Sequence, residues 1–163
     1  MKKKRQKQNG FTFIELMTVV AIIGIMTTVG FASLKTGQNQ TKLKTAQAEI
    51  VALIKLAQSD ALQGKEQGTV TPKYYGVKFS ADGKSYIFCS NSNDADPNCS
   101  NFLQTYPLAG RVAISSGQNS LVRFDVPHGN CYLSSGSTLV VSLGIDSNTK
   151  TITISAGGAI AEN

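Results

Sequence analysis

The chain has 163 residues, of which 41% are hydrophobic and 16% are charged, and its formal net charge at pH 7 is +6. This length and composition suit one folded domain with an extra terminal segment, and they exclude collagen-like, coiled-coil and wholly disordered chains. Five of the 16 basic residues lie within residues 1–7, so the chain after residue 10 has 11 basic and 10 acidic residues. This nearly neutral body argues against the broad basic surface that binds DNA or RNA.

The basic block is followed by an apolar stretch, residues 11–34, in which Glu15 is the only charged residue. As a helix this stretch would reach roughly 36 Å, which is enough to cross a bilayer. Lys and Arg beside an apolar span stay on the cytoplasmic side. We therefore expect a single-pass protein of the inner (cytoplasmic) membrane with its carboxyl-terminal part outside the cytoplasm. A secretory signal cleaved near Ser33 and an ordinary uncleaved anchor are the alternatives.

Glu15 is difficult to explain in either alternative, because a carboxylate inside an apolar helix costs about 2.5–3.5 kcal/mol on insertion scales. The Lys-rich leader, Gly10 and the following residues Phe-Thr-Phe-Ile-Glu-Leu-Met resemble the processing and methylation site of type IV prepilins and pseudopilins. The resemblance implies that a prepilin peptidase removes residues 1–10 and that the new amino terminus, Phe11, is N-methylated. It also implies that the subunit lies in membrane lipid before assembly. An inner-membrane assembly platform then adds it to other pilin or pseudopilin subunits in a helical filament.

Cleavage after Gly10 would place an ammonium group at Phe11, four residues before Glu15. Residues four apart share one face of a helix. The ion pair could therefore close within one chain, or Glu15 could meet the Phe11 amine of a neighbouring subunit. The family resemblance favours the second arrangement, in which Glu15 is an assembly residue.

Residues 35–64 are predicted to form an amphipathic half of the same helix, with a possible break at residues 37–40 and an end at Gly64. Such an apolar stripe needs a sheet to cover. Its predicted members follow three-and-four spacing: Leu43, Ala46, Ile50, Leu53, Ile54, Ala57 and Ala61. The residues that we assign to the other faces are Lys42, Lys44, Gln47, Glu49, Lys55, Gln58 and Asp60.

Residues 65–163 are predicted to form an extracytoplasmic antiparallel β domain, with hairpins at residues 81–84 and 146–148. The predicted strands are Tyr74–Phe79, Ser85–Cys89, Arg111–Ser115, Leu121–Val126, Thr138–Leu143 and Thr149–Ser155. Their sequential order suggests a meander. The predicted fold class is α+β, a long helix packed on an antiparallel sheet in the shape of a ladle.

Two further segments, residues 54–64 and residues 121–160, resemble the GspH/FimT group of pseudopilins and minor pilins. The first resembles the end of that group's long helix, although Gln58 stands where an arginine is usual. The second resembles its final hairpins. This resemblance favours a pseudopilin or a minor pilin over a major pilin.

The three cysteines lie in the part of the chain that would be exported, where disulfides are permitted. We favour a bond between Cys89 and Cys99, because these residues bracket a polar loop that a bridge closes at modest entropic cost. A bond from either residue to Cys131 is the competing possibility. The polar loop also contains Asp94 and Asp96, which are weak candidates for calcium, and no other cofactor or metal is expected.

No catalytic motif is present, and His128, the single histidine, stands in a Pro-His-Gly turn context. We therefore expect a structural protein and not an enzyme. Two other classes stay open: a DNA-binding minor pilin used in competence, and a plain anchored extracytoplasmic binding domain. The candidate DNA contacts are Lys73, Lys78, Lys84, Arg111, Arg123 and Lys150.

Overall fold

The computed structural model describes residues 10–67, 72–92, 99 and 101–163, apart from the side chains of residues 29–33. The chain divides into two compact units, residues 1–38 and residues 39–163. A single helix, α1, runs from Phe13 to Leu62. It continues through residues 37–40, so the break considered there is not found.

Both ends of α1 have ordinary capping chemistry. Thr12 is the N-cap, and its backbone N–H donates a hydrogen bond of 2.9 Å to Glu15 Oε2, as in a capping box. At the other end Gly64 has a φ of +59°. The Gly64 N–H donates to the Ala61 carbonyl and the Lys65 N–H to the Asp60 carbonyl, both at 3.1 Å. This is a Schellman end, so the prediction that Gly64 terminates the helix is confirmed.

Two antiparallel sheets follow the helix in the described part of the chain. The five-stranded sheet has the order β3-β2-β1-β5-β6, and the four-stranded sheet has the order β4-β7-β8-β9. The strands are β1 Tyr74–Phe79, β2 Ser85–Asn91, β3 Asn101–Pro107, β4 Ala113–Ser116, β5 Leu121–Asp125, β6 Cys131–Leu133, β7 Thr138–Ile145, β8 Asn148–Ser155 and β9 Ile160–Glu162.

The six predicted strands are found with small shifts at their ends, whereas β3, β6 and β9 were not predicted. The expected meander is wrong, because β1 pairs with β5 as well as with β2 and the strands separate into two sheets. Both predicted hairpins are present. Asp82 Oδ1 accepts the Lys84 N–H at 2.9 Å in the first, and Asp146 adopts a φ of +53° in the second.

One apolar core joins the second half of α1 to strands of both sheets. Every residue of the predicted helical stripe is buried. The α+β fold is therefore confirmed. Two assignments on the helix are wrong, because Gln47 and Asp60 are also buried, at 4% and 5% exposure. Each buried polar group has a polar partner. Gln47 Nε2 donates to the Thr151 carbonyl, and the Asp60 carboxylate lies 3.3 Å from Lys65 Nζ.

A disulfide joins Cys89 to Cys99, which is the pairing favoured from the sequence. Cys131 is a free, buried thiol, and burial raises its pKa. The bridged cysteines form a small apolar cluster with Leu121 and the half-buried Ile87, separate from the main core. The register places Cys89, Ile87 and Leu121 on the same face of the five-stranded sheet, because each lies opposite Gly76 or Lys78 of β1.

Candidate processing and assembly site

The predicted site lies where α1 begins. Gly10 and Phe11 precede the helix, and the Phe11 side chain is 89% exposed. A Cβ atom added to Gly10 would meet nothing within 4 Å. The packing of the residues that the structure describes therefore does not require glycine at this position, and the Gly10-Phe11 bond precedes the helix.

Glu15 forms its hydrogen bonds with Thr12. Its Oε2 atom accepts from the backbone N–H and from the hydroxyl of Thr12, both at 2.9 Å. Glu15 Oε1 has no hydrogen bond among the residues that the structure describes. The carboxylate is therefore held in a fixed position with one oxygen available to a further cation.

Thr12 is a residue of this site that the sequence analysis missed. The pattern Ser/Thr-x-x-Glu was present at residues 12–15 and is the usual sequence signal of a capping box. Thr12 orients the carboxylate of Glu15, and this carboxylate in turn accepts the hydrogen bond of the Thr12 backbone N–H. Glu15 thus has a local structural role in addition to the predicted assembly role.

The first turns of the helix present large apolar side chains on every side. The members that are at least half exposed within residues 11–28 are Phe11, Phe13, Ile14, Leu16, Met17, Val19, Val20, Ile22, Ile23, Ile25 and Met26. A helix that is apolar all round normally lies in lipid or among other helices.

For the helical residues that the structure describes, no stretch meets the length and apolarity needed for a membrane span. The side chains of residues 29–33, which belong to the span expected at residues 11–34, fall outside that description.

The calcium candidates, the leader and His128 add no further site among the residues that the structure describes. Asp94 and Asp96, the calcium candidates, lie outside the described residues, as do residues 1–9 of the leader. The described part of the chain has no group of three His, Cys, Asp or Glu that could hold a metal ion. His128 is in a turn as predicted, with Nδ1 3.8 Å from an Asp125 carboxylate oxygen.

Three of the six candidate DNA contacts lie in strands of the two sheets, and the other three, Lys73, Lys84 and Arg111, lie in turns and loops. Arg111 forms an ion pair with Asp146 at 2.9 Å. Lys150 lies in β8 of the four-stranded sheet, whereas Lys78 and Arg123 lie in adjacent strands of the five-stranded sheet. This distribution does not produce the single basic face that nucleic-acid binding requires.

Comparison with known proteins places a recognised motif on the amino-terminal site. Residues 5–31 match the family model described as the prokaryotic N-terminal methylation motif. The matched range contains Gly10, Phe11, Thr12 and Glu15. Two curated relatives, each described as a fimbrial protein of Pseudomonas aeruginosa, are 38% identical to the chain over 96 residues.

Each of these alignments covers 53% of this chain and 62% of the relative, so the chain spans less than two thirds of the relatives' length. No solved structure matches the chain. The chain is therefore similar to proteins with this methylation motif at its amino-terminal site and to two fimbrial proteins over 96 residues.

Proposed function

We propose that this chain is the precursor of a structural subunit, a pseudopilin or a minor pilin, of a type IV pilus or a type II secretion-like filament. In this proposal a prepilin peptidase cuts after Gly10, and Phe11 is N-methylated. The match of residues 5–31 to the methylation motif carries the proposal. The role is structural and includes no catalytic step.

The geometry around Gly10 supports the cleavage step. The bond to be cut precedes α1, and a Cβ atom at Gly10 would meet no atom of the described residues within 4 Å. Exposed backbone outside regular structure is the usual substrate of a peptidase. Because the described part of the chain leaves room for a side chain at Gly10, we assign the requirement for glycine to the peptidase.

The geometry of Glu15 supports the assembly step. Thr12 holds Oε2, which leaves Oε1 to approach the Phe11 ammonium of a neighbouring subunit. Between apolar helices an unpaired charge is costly, whereas a paired one is tolerated. The pair would therefore select the axial position at which each incoming subunit fits.

The exposed apolar surface of residues 11–28 supports the proposed location and partners. We place the precursor in the inner membrane, with its β domain outside the cytoplasm, until an assembly platform moves it into a periplasmic or extracellular filament. Membrane lipid would cover the apolar helix before assembly, and the helices of other subunits would cover it afterwards.

A major pilin is the second candidate, because both curated relatives are described as fimbrial proteins. That description favours a pilus over a secretion filament. The GspH/FimT resemblance of residues 54–64 and 121–160 favours a minor subunit. Counting this subunit against the most abundant one in purified filaments separates these two roles.

The assembly step is tested with Glu15→Val, Glu15→Asp and a matched control, Thr27→Val. The control removes a hydroxyl that donates a hydrogen bond to the Ile23 carbonyl of its own helix. We expect all three variants to be cleaved after Gly10 and inserted into the membrane. The measurement is the fraction of processed subunit recovered in sheared filaments.

Glu15→Val should reduce that fraction at least about tenfold, a loss equivalent to roughly 1.4 kcal/mol. Glu15→Asp should be intermediate, because the charge remains while its reach shortens, and Thr27→Val should match the wild type. Incorporation of Glu15→Val at the wild-type level would contradict the pairing mechanism.

A further inference from the structure

A basic cavity opens on the five-stranded sheet, on the face that carries the disulfide cluster. Its volume is about 330 Å³, and its lining includes Lys78, Arg123, Tyr132 and Ser134. The register brings these residues together: Arg123 of β5 lies opposite Gly76 of β1 on one side and opposite Tyr132 of β6 on the other. Three strands therefore build one concave site.

Arg123 is held in place by aromatic rings. Its guanidinium carbon lies 4.7 Å from the ring centre of Tyr74 and 5.6 Å from that of Tyr132. The two rings meet edge to face, with centroids 6.3 Å apart. Cation–π contacts of this kind fix the guanidinium without neutralising its charge.

Gly76 permits this arrangement. A Cβ atom at Gly76 would lie 2.6 Å from the Val122 carbonyl oxygen and 3.2 Å from the Arg123 Cβ. Glycine therefore allows the close approach of β1 to the β5 backbone under Arg123.

The charges that face the cavity are not balanced within the described chain. Neither Lys78 nor Arg123 forms an ion pair with a described carboxylate, whereas Arg111 and Lys65 each do. The seven lining residues include two cations and no acid. Two unpaired cations beside one cavity attract an anion.

Hydrogen-bond donors line the same cavity. The Ser134 hydroxyl oxygen accepts the Leu121 N–H at 3.1 Å, which leaves the hydroxyl proton for a ligand. Asn119 is also a lining residue of the cavity. The Tyr132 ring supplies apolar surface beside these polar groups.

The geometry points to a binding site for a carboxylated sugar, a hexuronate unit, in this cavity. The planar fork of Arg123 matches a carboxylate, and Lys78 adds a second positive charge. The Ser134 hydroxyl suits a sugar hydroxyl, and the Tyr132 ring suits the apolar face of a sugar ring. The volume lies near the lower end of the range for small-ligand pockets, as expected for one sugar unit.

Nucleic acid fits these observations less well than a hexuronate unit. Nucleic acid is bound along a track of Lys and Arg, whereas Lys78 and Arg123 converge on one cavity and the chain after residue 10 is nearly neutral.

The test is calorimetric titration of the full chain in detergent micelles with D-glucuronate. D-glucose serves as the neutral probe of the same ring, and inorganic phosphate and a single-stranded oligonucleotide serve as phosphate probes. We expect saturable binding of glucuronate, none of glucose, and weaker binding of both phosphate probes. Absence of saturable glucuronate binding overturns the proposal, and so does binding of a phosphate probe as tight as that of glucuronate.

Variants then assign the binding to this cavity. Arg123→Gln should weaken the binding of glucuronate at least about tenfold. Arg123→Lys should recover part of this affinity, because it restores the positive charge without the planar guanidinium. Lys78→Gln provides an independent variant that leaves the aromatic contacts of Arg123 intact. Lys84→Gln, in the exposed β1–β2 turn, is the matched control and should leave the affinity unchanged. Equal effects of Lys78→Gln and Lys84→Gln on glucuronate affinity would overturn the assignment of binding to this cavity.

Discussion

The side-chain amide of Gln47 donates a hydrogen bond of 2.9 Å to the backbone carbonyl of Thr151, 104 positions later in the chain. The same amide lies 3.4 Å from the Asn163 carbonyl. Thr151 and Asn163 also exchange backbone hydrogen bonds of 3.0 Å in each direction. One buried polar side chain of α1 therefore joins the helix to the end of the β8–β9 pair.

We expect Gln47→Ala to destabilise the protein by about 1–2 kcal/mol, because it removes a buried hydrogen bond and leaves a void. The measurement is denaturant unfolding of a fragment that begins at Gly37 and contains the compact unit of residues 39–163. This fragment should be soluble and monomeric and should unfold cooperatively.

The matched control is Lys55→Ala, at an exposed position of the same helix. It should change the free energy of unfolding by less than about 0.5 kcal/mol. Equal effects of the two substitutions on the free energy of unfolding would show that the Gln47 contact does not contribute to stability. Aggregation of the unsubstituted fragment would contradict the packing of the helix on the sheets.

The contrast between Gln47 and its helical neighbours shows what the sequence could predict. Three-and-four spacing identified the buried stripe, since apolar side chains report the covered face of a helix directly. Gln47 was assigned to the outer face because it is polar. Its partner lies in a strand whose position relative to the helix is a property of the tertiary fold alone.

The same distinction applies to the strands and the sites. β3 was missed because most of its side chains are exposed at a sheet edge, so it lacks the alternation that marks a half-buried strand. Gly10, Phe11 and Glu15 were predicted because their signal is a local motif. Lys78 and Arg123 were identified only as dispersed cations, because the pairing of β1 with β5 brings them to one cavity.

A second prediction concerns two strand glycines that lack positive φ. Gly76→Ala should destabilise the fragment by about 1–3 kcal/mol, because the new Cβ would lie 2.6 Å from the Val122 carbonyl oxygen and neighbouring backbone must move. Gly144→Ala is the control, since its Cβ would meet nothing closer than 3.8 Å. Denaturant unfolding of both variants measures the difference. A Gly144→Ala cost as large as that of Gly76→Ala would contradict the close approach of β1 and β5.

A third prediction concerns alkaline stability. Burial raises the pKa of Tyr86 to about 12, with the Glu49 carboxylate and Tyr106 adding to the effect. In the unfolded chain this phenol loses its proton at about pH 10. The folded state therefore keeps a proton that the unfolded state has lost, and this contribution to stability is present below pH 10 and is lost as the pH rises from about 10 to about 12.

Tyr86→Phe should remove that dependence. Between about pH 9 and pH 11 the free energy of unfolding should fall less steeply in Tyr86→Phe than in the unsubstituted fragment. Tyr132→Phe, at a 44% exposed position, is the control and should retain the original slope. Parallel slopes for the Tyr86 variant and the unsubstituted fragment would show that the two states of the protein hold this proton equally.

The most direct measurement of the central claim is the intact mass of the protein from cells that contain a prepilin peptidase. The expected mature chain begins at Phe11 and carries one methyl group, and Gly10→Val should remain at the precursor mass because a side chain obstructs the cut. Phe13→Leu is a control two residues beyond Phe11 and should be processed normally. A wild-type chain that retains residues 1–10, or one that begins near Ser33, would contradict the assignment of this protein as a processed pilin-like subunit.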